Sequence, residues 1–307
     1  MNNLAKLSPV LTACAALIML GVSVTSTVHA AYIFTDLGDT GSLGYGSIAY
    51  DINSAGQVVG SSYPESYYYH ATLWNGTTAS NLGTLNGLYS NAQAINNAGL
   101  VAGWSSFSNG LQPPLWNDPQ HATLWNGTTA IDLGTLGGSN SYANAINDSS
   151  QVVGYSNTTG NAATHATLWN GTTMIDLGTL GGTSSQASDI NNSGQVVGWS
   201  YSAGNTVALA TLWNGTTAID LNSYLDATTI SAGWYLESAL GINDSGWIVG
   251  RAGNRLTGQT HGFLLSDDAT AISPVPEPST YAMLLAGLGL LGFTAQRKYG
   301  LGGGNRD

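Results

Sequence analysis

A unit of about 44 residues recurs five times along this chain, and the repetition limits the fold more than any other feature of the sequence. Thr129-Ala-Ile-Asp-Leu-Gly-Thr-Leu-Gly-Gly138 returns as Thr173-Met-Ile-Asp-Leu-Gly-Thr-Leu-Gly-Gly182, and Gln151-Val-Val-Gly154 returns as Gln195-Val-Val-Gly198, both at an offset of 44. An Ile-Asn pair marks each unit, at Ile52, Ile95, Ile146, Ile190 and Ile242. Its spacings of 43, 51, 44 and 52 place extra loop in the second and fifth copies. His-Ala-Thr-Leu-Trp begins at His70, His121 and His165, becomes Leu209-Ala-Thr-Leu-Trp213, and decays to His261-Gly-Phe-Leu-Leu265. A unit this short cannot bury an apolar face alone, so the copies must stack on one another.

Each unit reads as four short strands. In the third copy they are expected at 142–146, 151–156, 165–169 and 172–177, with the turn-forming run Asn147-Asp-Ser-Ser150 between the first two. Asn170-Gly171 between the last two predicts a type I′ hairpin, in which both central residues need positive φ, and Asn75, Asn126 and Asn214 repeat it. One strand per 11 residues or so is the spacing of a blade or a sandwich. The expected fold is all-β, most simply a five-bladed β-propeller, with an open repeat array as the alternative. Ile33-Phe-Thr-Asp-Leu-Gly38 copies the end of a fourth strand ahead of the first unit and could seal a ring; Ala269-Thr-Ala-Ile272 offers the same service from the other end.

The motifs Leu-Trp-Asn-Gly, Asp-Leu-Gly-Thr-Leu-Gly-Gly and Ile-Asn-x-x-Gly-Gln-Val-Val-Gly resemble the HAF family of extracellular repeats, although its His-Ala-Phe triplet is His-Ala-Thr here. The resemblance spans Ile33 to about Ile272 and implies secretion and repetition, with no biochemical activity to carry over.

Both ends of the chain read as handling signals. Lys6, an apolar run from Leu11 to Val24 and Val28-His29-Ala30 before Ala31 predict a Sec signal peptide over 1–30, cut between Ala30 and Ala31. Leu11-Thr12-Ala13-Cys14 has the shape of a lipobox, but most of the apolar run lies after Cys14, where a lipidated cysteine should follow it. At the other end, Pro276-Glu277-Pro278 precedes an apolar stretch at about 281–295, long enough for a near-membrane-length helix, and Arg297-Lys298 follow as a basic stop. This segment, 276–298, resembles the PEP-CTERM sorting signal of Gram-negative bacteria. In that family a membrane-embedded exosortase, a cysteine-type transpeptidase, cuts near the motif and passes the protein to the cell surface or an exopolysaccharide matrix. The family pattern usually ends at its basic cluster, whereas here a short tail, 299–307, continues beyond it.

Between the signals lies one repeat domain, 31–275, of 245 residues. Cys14 is the only cysteine, so the mature domain has no disulfide and no thiol chemistry. Its only basic side chains, Arg251 and Arg255, face fifteen Asp and Glu, which leaves no surface able to neutralise nucleic-acid phosphates.

The repeated His70, His121, His165 and His261 read as strand-start residues bonded to backbone, because Leu209 breaks any symmetric ligand ring and no His-x-x-x-His accompanies them. Asp36, Asp132, Asp176 and Asp220 read as turn buttresses. Asn147-Asp148-Ser149 and Asn243-Asp244-Ser245-Gly246 suggest calcium loops only faintly, since the alternating carboxylates of such loops are missing; no metal or cofactor is expected. Trp74, Trp125, Trp169 and Trp213 share a place that Leu265 fills in the last unit, which marks it as packing.

The position after Val-x-Gly holds Ser61, Trp104, Tyr155, Trp199 and Arg251, a variation that suits a surface where aromatic rings stack on sugars. Three repeat-breaking insertions, 63–69, 107–120 and 221–240, are where asymmetric function would lie. They contribute Trp116, Trp234 and Tyr235 as further candidate glycan contacts. Asp226 and Glu237 in the third insertion would be the acid pair of a glycan-active enzyme, the first rival reading. A protein-binding propeller is the second. The leading expectation is an exported, non-enzymatic surface or matrix protein that is processed by exosortase and contacts exopolysaccharide.

Overall fold

The computed structural model describes residues 33–41, 46–64, 68–108 and 118–267. The chain divides into two compact units, Met1–Asp36 and Leu37–Asp307. In the first, the described residues 33–36 form no strand, and Ile33 and Phe34 are exposed, so the expected leading strand is not present. The signal peptide with Ala30 and Ala31, the closing segment 269–272, the Pro-Glu-Pro motif, the apolar stretch 281–295, and Arg297 and Lys298 all lie outside the described residues.

The second unit is all-β. Repeat 1 is β1 (Ser47–Ile52), β2 (Gln57–Ser62), β3 (His70–Asn75) and β4 (Thr78–Gly83). Repeat 2 is β5 (Asn86–Ile95), β6 (Val101–Phe107), β7 (Gln120–Asn126) and β8 (Thr129–Asp132). Repeat 3 is β9 (Gly137–Ile146), β10 (Gln151–Thr158), β11 (Thr164–Asn170) and β12 (Thr173–Gly178). Repeat 4 is β13 (Gly181–Ile190), β14 (Val196–Ser202), β15 (Ala208–Asn214) and β16 (Thr217–Asp220). Repeat 5 has three described strands, β17 (Trp234–Ile242), β18 (Ile248–Asn254) and β19 (Thr260–Leu265). Every repeat is an antiparallel meander, and one parallel bridge, Thr164 to Ser184, joins the sheets of repeats 3 and 4. In repeats 3 and 4 the first strand begins earlier than the sequence suggests, at the Gly-Gly segment, where Thr135 Oγ1 donates to Gly138 O and Thr179 Oγ1 to Gly182 O, both at 2.8 Å.

The hairpins differ from expectation in a specific way. Asn170 pairs with Thr173 across the turn, so the loop is Gly171-Thr172 and not Asn-Gly. Gly171 has φ +60° and neither Asn170 nor Thr172 is positive, the type II′ pattern, which needs glycine only at its first central position. The same register recurs as Asn75 with Thr78, Asn126 with Thr129 and Asn214 with Thr217.

The core consists of four layers between successive repeats. Trp125 packs with Val59, Ala71 and Leu82 between repeats 1 and 2; Trp169 with Ala102, Ala122 and Val152 between 2 and 3; Trp213 with Val153, Leu168 and Leu177 between 3 and 4. Between 4 and 5 the layer is Val197, Leu221, Leu236 and Ala239. All four repeat tryptophans are fully buried and their indole N–H groups have no hydrogen-bond partner, which fits a place that Leu265 can also fill. Buried serines cross-link the layers: the N–H groups of Ala71, Ala122 and Ala166 each donate to the Oγ of Ser90, Ser141 and Ser185 in the next repeat, at 2.9 Å.

The array has two unlike ends. Ala92, Ala143, Ala187 and Ala239 are fully buried, but Ala49 at the same place in repeat 1 is exposed, as is Ile52. Val59, Ala102, Val153 and Val197 are likewise buried, while Val249 of repeat 5 is 47% exposed. Among the described residues the sheets of repeats 1 and 5 do not join.

Candidate functional site

The turns after the first strands of all five repeats converge on one cavity of about 370 Å³, lined by the Ile-Asn pairs. Here the repeated Asn does two jobs. Its Oδ1 caps its own turn, as when Asn147 Oδ1 accepts from Gln151 N at 2.9 Å. Its Nδ2 reaches the next repeat: Asn53 to Asn96 O, Asn96 to Asn147 O, Asn147 to Asn191 O and Asn191 to Asn243 O, at 3.1–3.2 Å. A second row runs outside the first, in which Asp148 accepts from Asn97 N and Nδ2 and Asp244 accepts from Asn192 N and Nδ2. The loops that faintly suggested calcium therefore spend their carboxylates on neighbouring amides, and among the described residues no group of three or more His, Cys, Asp and Glu is placed to hold a metal. Asp189 accepts from Ile242 N at 2.8 Å; burial pushes its carboxyl above the usual range, and the Asp51 charge adds to this.

The histidines and aspartates that the sequence treated separately are partners in two repeats. His121 Nδ1 lies 2.9 Å from Asp132 Oδ2, and His165 Nδ1 lies 2.8 Å from Asp176 Oδ2. In repeat 1 Asn81 replaces the acid and contacts His70 Nδ1 at 2.8 Å, while His70 Nε2 meets Leu88 O, the backbone partner expected. In repeat 4, where Leu209 replaces histidine, Asp220 caps a 3₁₀ turn (Leu221–Tyr224). The buttress role holds at Asp132 and Asp176, which accept Gly134 N and Gly178 N at 2.8 Å. Burial alone would raise the Asp132 carboxyl, but the bonds from His121 and Gly134 outweigh it and hold it below its usual value. Histidine and its acid sit 11 residues apart in sequence, but in repeats 1 and 4 one partner changes while the other stays, so co-occurrence does not reveal the pairing.

Two predicted glycan residues come together on an aromatic track across repeats 1 to 3. Tyr69 and Tyr89 each sit about 6.0 Å or less from one another and from Trp104, Trp104 lies 5.8 Å from Tyr142, and Tyr142 stacks on Tyr155 at 4.9 Å. Tyr63 extends the track beyond Tyr69 at 6.1 Å. Trp104, Tyr142 and Tyr155 are half-buried, whereas Tyr89 is buried. Tyr142 donates its hydroxyl to Gln120 Oε1, and burial, together with the neighbouring tyrosines, pushes that hydroxyl up to about 12. Tyr69 lies in the repeat-breaking insertion 63–69, whereas Tyr89 and Tyr142 carry no sequence signal of their own; Tyr142 could be found only from register, as the cross-strand partner of Tyr155. Trp199 stands apart, paired with Tyr201 at 5.4 Å, because Gln186 and not an aromatic residue lies opposite it. Trp116 lies outside the described residues.

Trp234 and Tyr235 belong to another corner, where the third insertion folds as the 3₁₀ turn and a short helix α1 (Ala227–Ser231) before β17. Trp234 lies tilted against His261, with ring centroids 4.7 Å apart, and Arg255 Cζ sits 4.7 Å above the Tyr235 ring. The proposed acid pair is divided between two local tasks. Asp226 is the N-cap of α1, accepting from Thr228 N and Thr229 N. Glu237 accepts from the Tyr235 hydroxyl at 2.8 Å and lies 2.6 Å from Arg251 Nε, a charge contact off the N–H direction.

Together these features define a class: an all-β protein of stacked 44-residue units, with polar ladders linking the turns of all five units and aromatic groups on its surface. Its destination comes from the other end of the chain, where a model of the PEP-CTERM protein-sorting motif matches residues 274–298. That motif marks an exported, exosortase-processed protein of the cell surface. Among the curated proteins the chain has no match. No helix among the described residues is long and apolar enough to cross a membrane.

Proposed function

We propose that the domain is a non-catalytic component of the cell surface or exopolysaccharide matrix that holds polysaccharide on the Tyr69–Tyr155 aromatic track. The observation that carries this reading is the track itself: aromatic rings from three repeats form one row in which Trp104, Tyr142 and Tyr155 are only half-buried, the kind of surface on which sugar rings stack. Non-catalytic action is supported by the separate structural duties of Asp226 and Glu237. The HAF-like motifs fit the same extracellular setting. In this reading the Sec signal is cut at Ala30, the stretch 281–295 tethers the chain in the inner membrane with Arg297 and Lys298 on the cytoplasmic side, and exosortase then releases it.

We further read the array as a five-bladed propeller. Five turns around one cavity support this, as do the exposed Ala49 and Ile52 of repeat 1 and Val249 of repeat 5, which stand at places buried between the inner repeats. The test of binding is calorimetric titration of the mature protein with polysaccharide from producing cells. Trp104→Ala and Tyr155→Ala should weaken binding at least tenfold; wild-type affinity in both, or no binding by the parent, overturns the reading. For sorting, deletion of exosortase should leave the protein membrane-bound with its tail intact, and unchanged release would refute that route.

A further inference from the structure

The insertion of repeat 5 builds a pocket that the aromatic track does not use. It has a volume of about 230 Å³ and is lined by Trp234, Tyr235, Asp220, Asn222 and Arg255. Two half-buried aromatic residues contribute to its wall, and Arg255 on its lining is exposed. The main chain that carries the cation is anchored: Arg255 N donates to Gly233 O at 2.8 Å, and Asn254 Nδ2 donates to Ala232 O at 2.9 Å, tying the turn to the insertion.

The charge pattern is what makes this corner unusual. Arg251 and Arg255 are the only cations between Ala31 and Val275, a span with fifteen acids, and both fall in this one repeat. Glu237 neutralises Arg251 at 2.6 Å, whereas Arg255 rests on the Tyr235 ring and has no carboxylate partner among the described residues. Asp220 turns its Oδ1 to Asn222 N and Nδ2, at 2.9 and 2.8 Å, which commits that oxygen to the fold. A guanidinium fork set beside an aromatic wall matches a ligand that joins a planar carboxylate to a sugar ring, with the carboxylate on Arg255 and the ring against Trp234.

We propose that this pocket binds a uronic-acid residue of an acidic polysaccharide. The proposal rests on the reading of the domain as a glycan binder and names a second, charge-selective subsite for it. The test is titration of the mature protein with trigalacturonate, against maltotriose as the neutral probe, at two salt concentrations. Trigalacturonate should bind more tightly than maltotriose and weaken with salt. Arg255→Gln should cut trigalacturonate binding at least tenfold and leave maltotriose unchanged; Arg255→Lys should recover only part, because it keeps the charge but loses the fork. Trp234→Ala should weaken trigalacturonate, and Trp104→Ala on the track should not. Equal trigalacturonate affinity in parent and Arg255→Gln overturns the acidic subsite while leaving the aromatic track standing. Failure of both probes and of matrix polysaccharide to bind the parent overturns the glycan reading as well.

Discussion

The glycine of Val-x-Gly can be separated experimentally from the glycine of the hairpin, because the two are required for different reasons. In β10, a Cβ on Gly154 would overlap the carbonyl oxygen of Tyr142 on the neighbouring strand and sit 3.0 Å from Ala143 Cα. The sheet register shifts at that point, between Val153 and Gly154, so the bulged first strand presses its carbonyl onto the second. The same approach recurs at Gly60, Gly103, Gly198 and Gly250. Gly171 has open space around it and is needed only for its φ of +60°. Gly154→Ala must push two paired strands apart. Overpacking of about 1–3 kcal/mol, with one or two ladder hydrogen bonds at about 1 kcal/mol each, sums to roughly 4 kcal/mol. Gly171→Ala carries the left-handed penalty of about 1–2 kcal/mol, partly offset by the stiffer unfolded chain, for roughly 1 kcal/mol net. At 2–4 °C per kcal/mol for a domain of this size, these become losses of roughly 12 °C and roughly 3 °C in Tm. Calorimetry and urea unfolding of the two variants beside the parent give the comparison. If Gly154→Ala costs no more than Gly171→Ala, the reasoning from close approach is wrong.

Other perturbations address the ladders, charges and ends. Ser150 occupies with φ +63° the turn position held by Gly56, Gly99, Gly194 and Gly246, so Ser150→Gly should raise the urea midpoint, by about 0.5–1 kcal/mol; a lower midpoint refutes local strain there. Asn147→Ala leaves Gln151 N–H and Asn191 C=O without their side-chain partner and should cost about 2–4 kcal/mol, with a loss under about 1 kcal/mol counting against the ladder. The acids predict opposite pH slopes. Asp132 is depressed, so its contribution is present above the unfolded carboxylate value and is lost as pH falls through the folded one, below about pH 4. Asp189 is raised, so its ionised form costs stability at neutral pH and the cost is relieved on acidification. Asp132→Asn should therefore destabilise at pH 7 and Asp189→Asn should not, a difference that pH-dependent urea midpoints resolve; equal losses would refute both assignments. Finally, Val249→Arg should cost about 2 kcal/mol or more if repeat 5 closes on repeat 1, and an unchanged midpoint in urea would refute ring closure.

Much of the fold was legible because a repeat multiplies each local signal. Leu265 alone assigns the Trp position to packing, and the burial of Trp125, Trp169 and Trp213 between successive repeats follows that logic. The hairpin type was misread because Asn-Gly is a turn signal in either of two registers; only the pairing of Asn170 with Thr173 shows that glycine, not asparagine, leads the loop. The His–Asp pairs were visible as residues but not as pairs, since contact across a hairpin depends on register. Of the glycan candidates, Trp104 and Tyr155 meet through Tyr142, a residue with no motif of its own.

The sequence by itself determined that this is an exported, acidic chain of five β units, with no cysteine in the repeat domain 31–275, bearing a sorting motif that a family model matches at residues 274–298. Those properties follow from composition, spacing and short contiguous signals, which need no knowledge of what lies nearby in space. Tertiary structure alone decided which side chains meet: the amide ladder around a common cavity, the aromatic track, and Arg255 over the Tyr235 ring in a pocket shared with Trp234. Each of these joins residues from different strands or repeats, and a one-residue change of register would dissolve it.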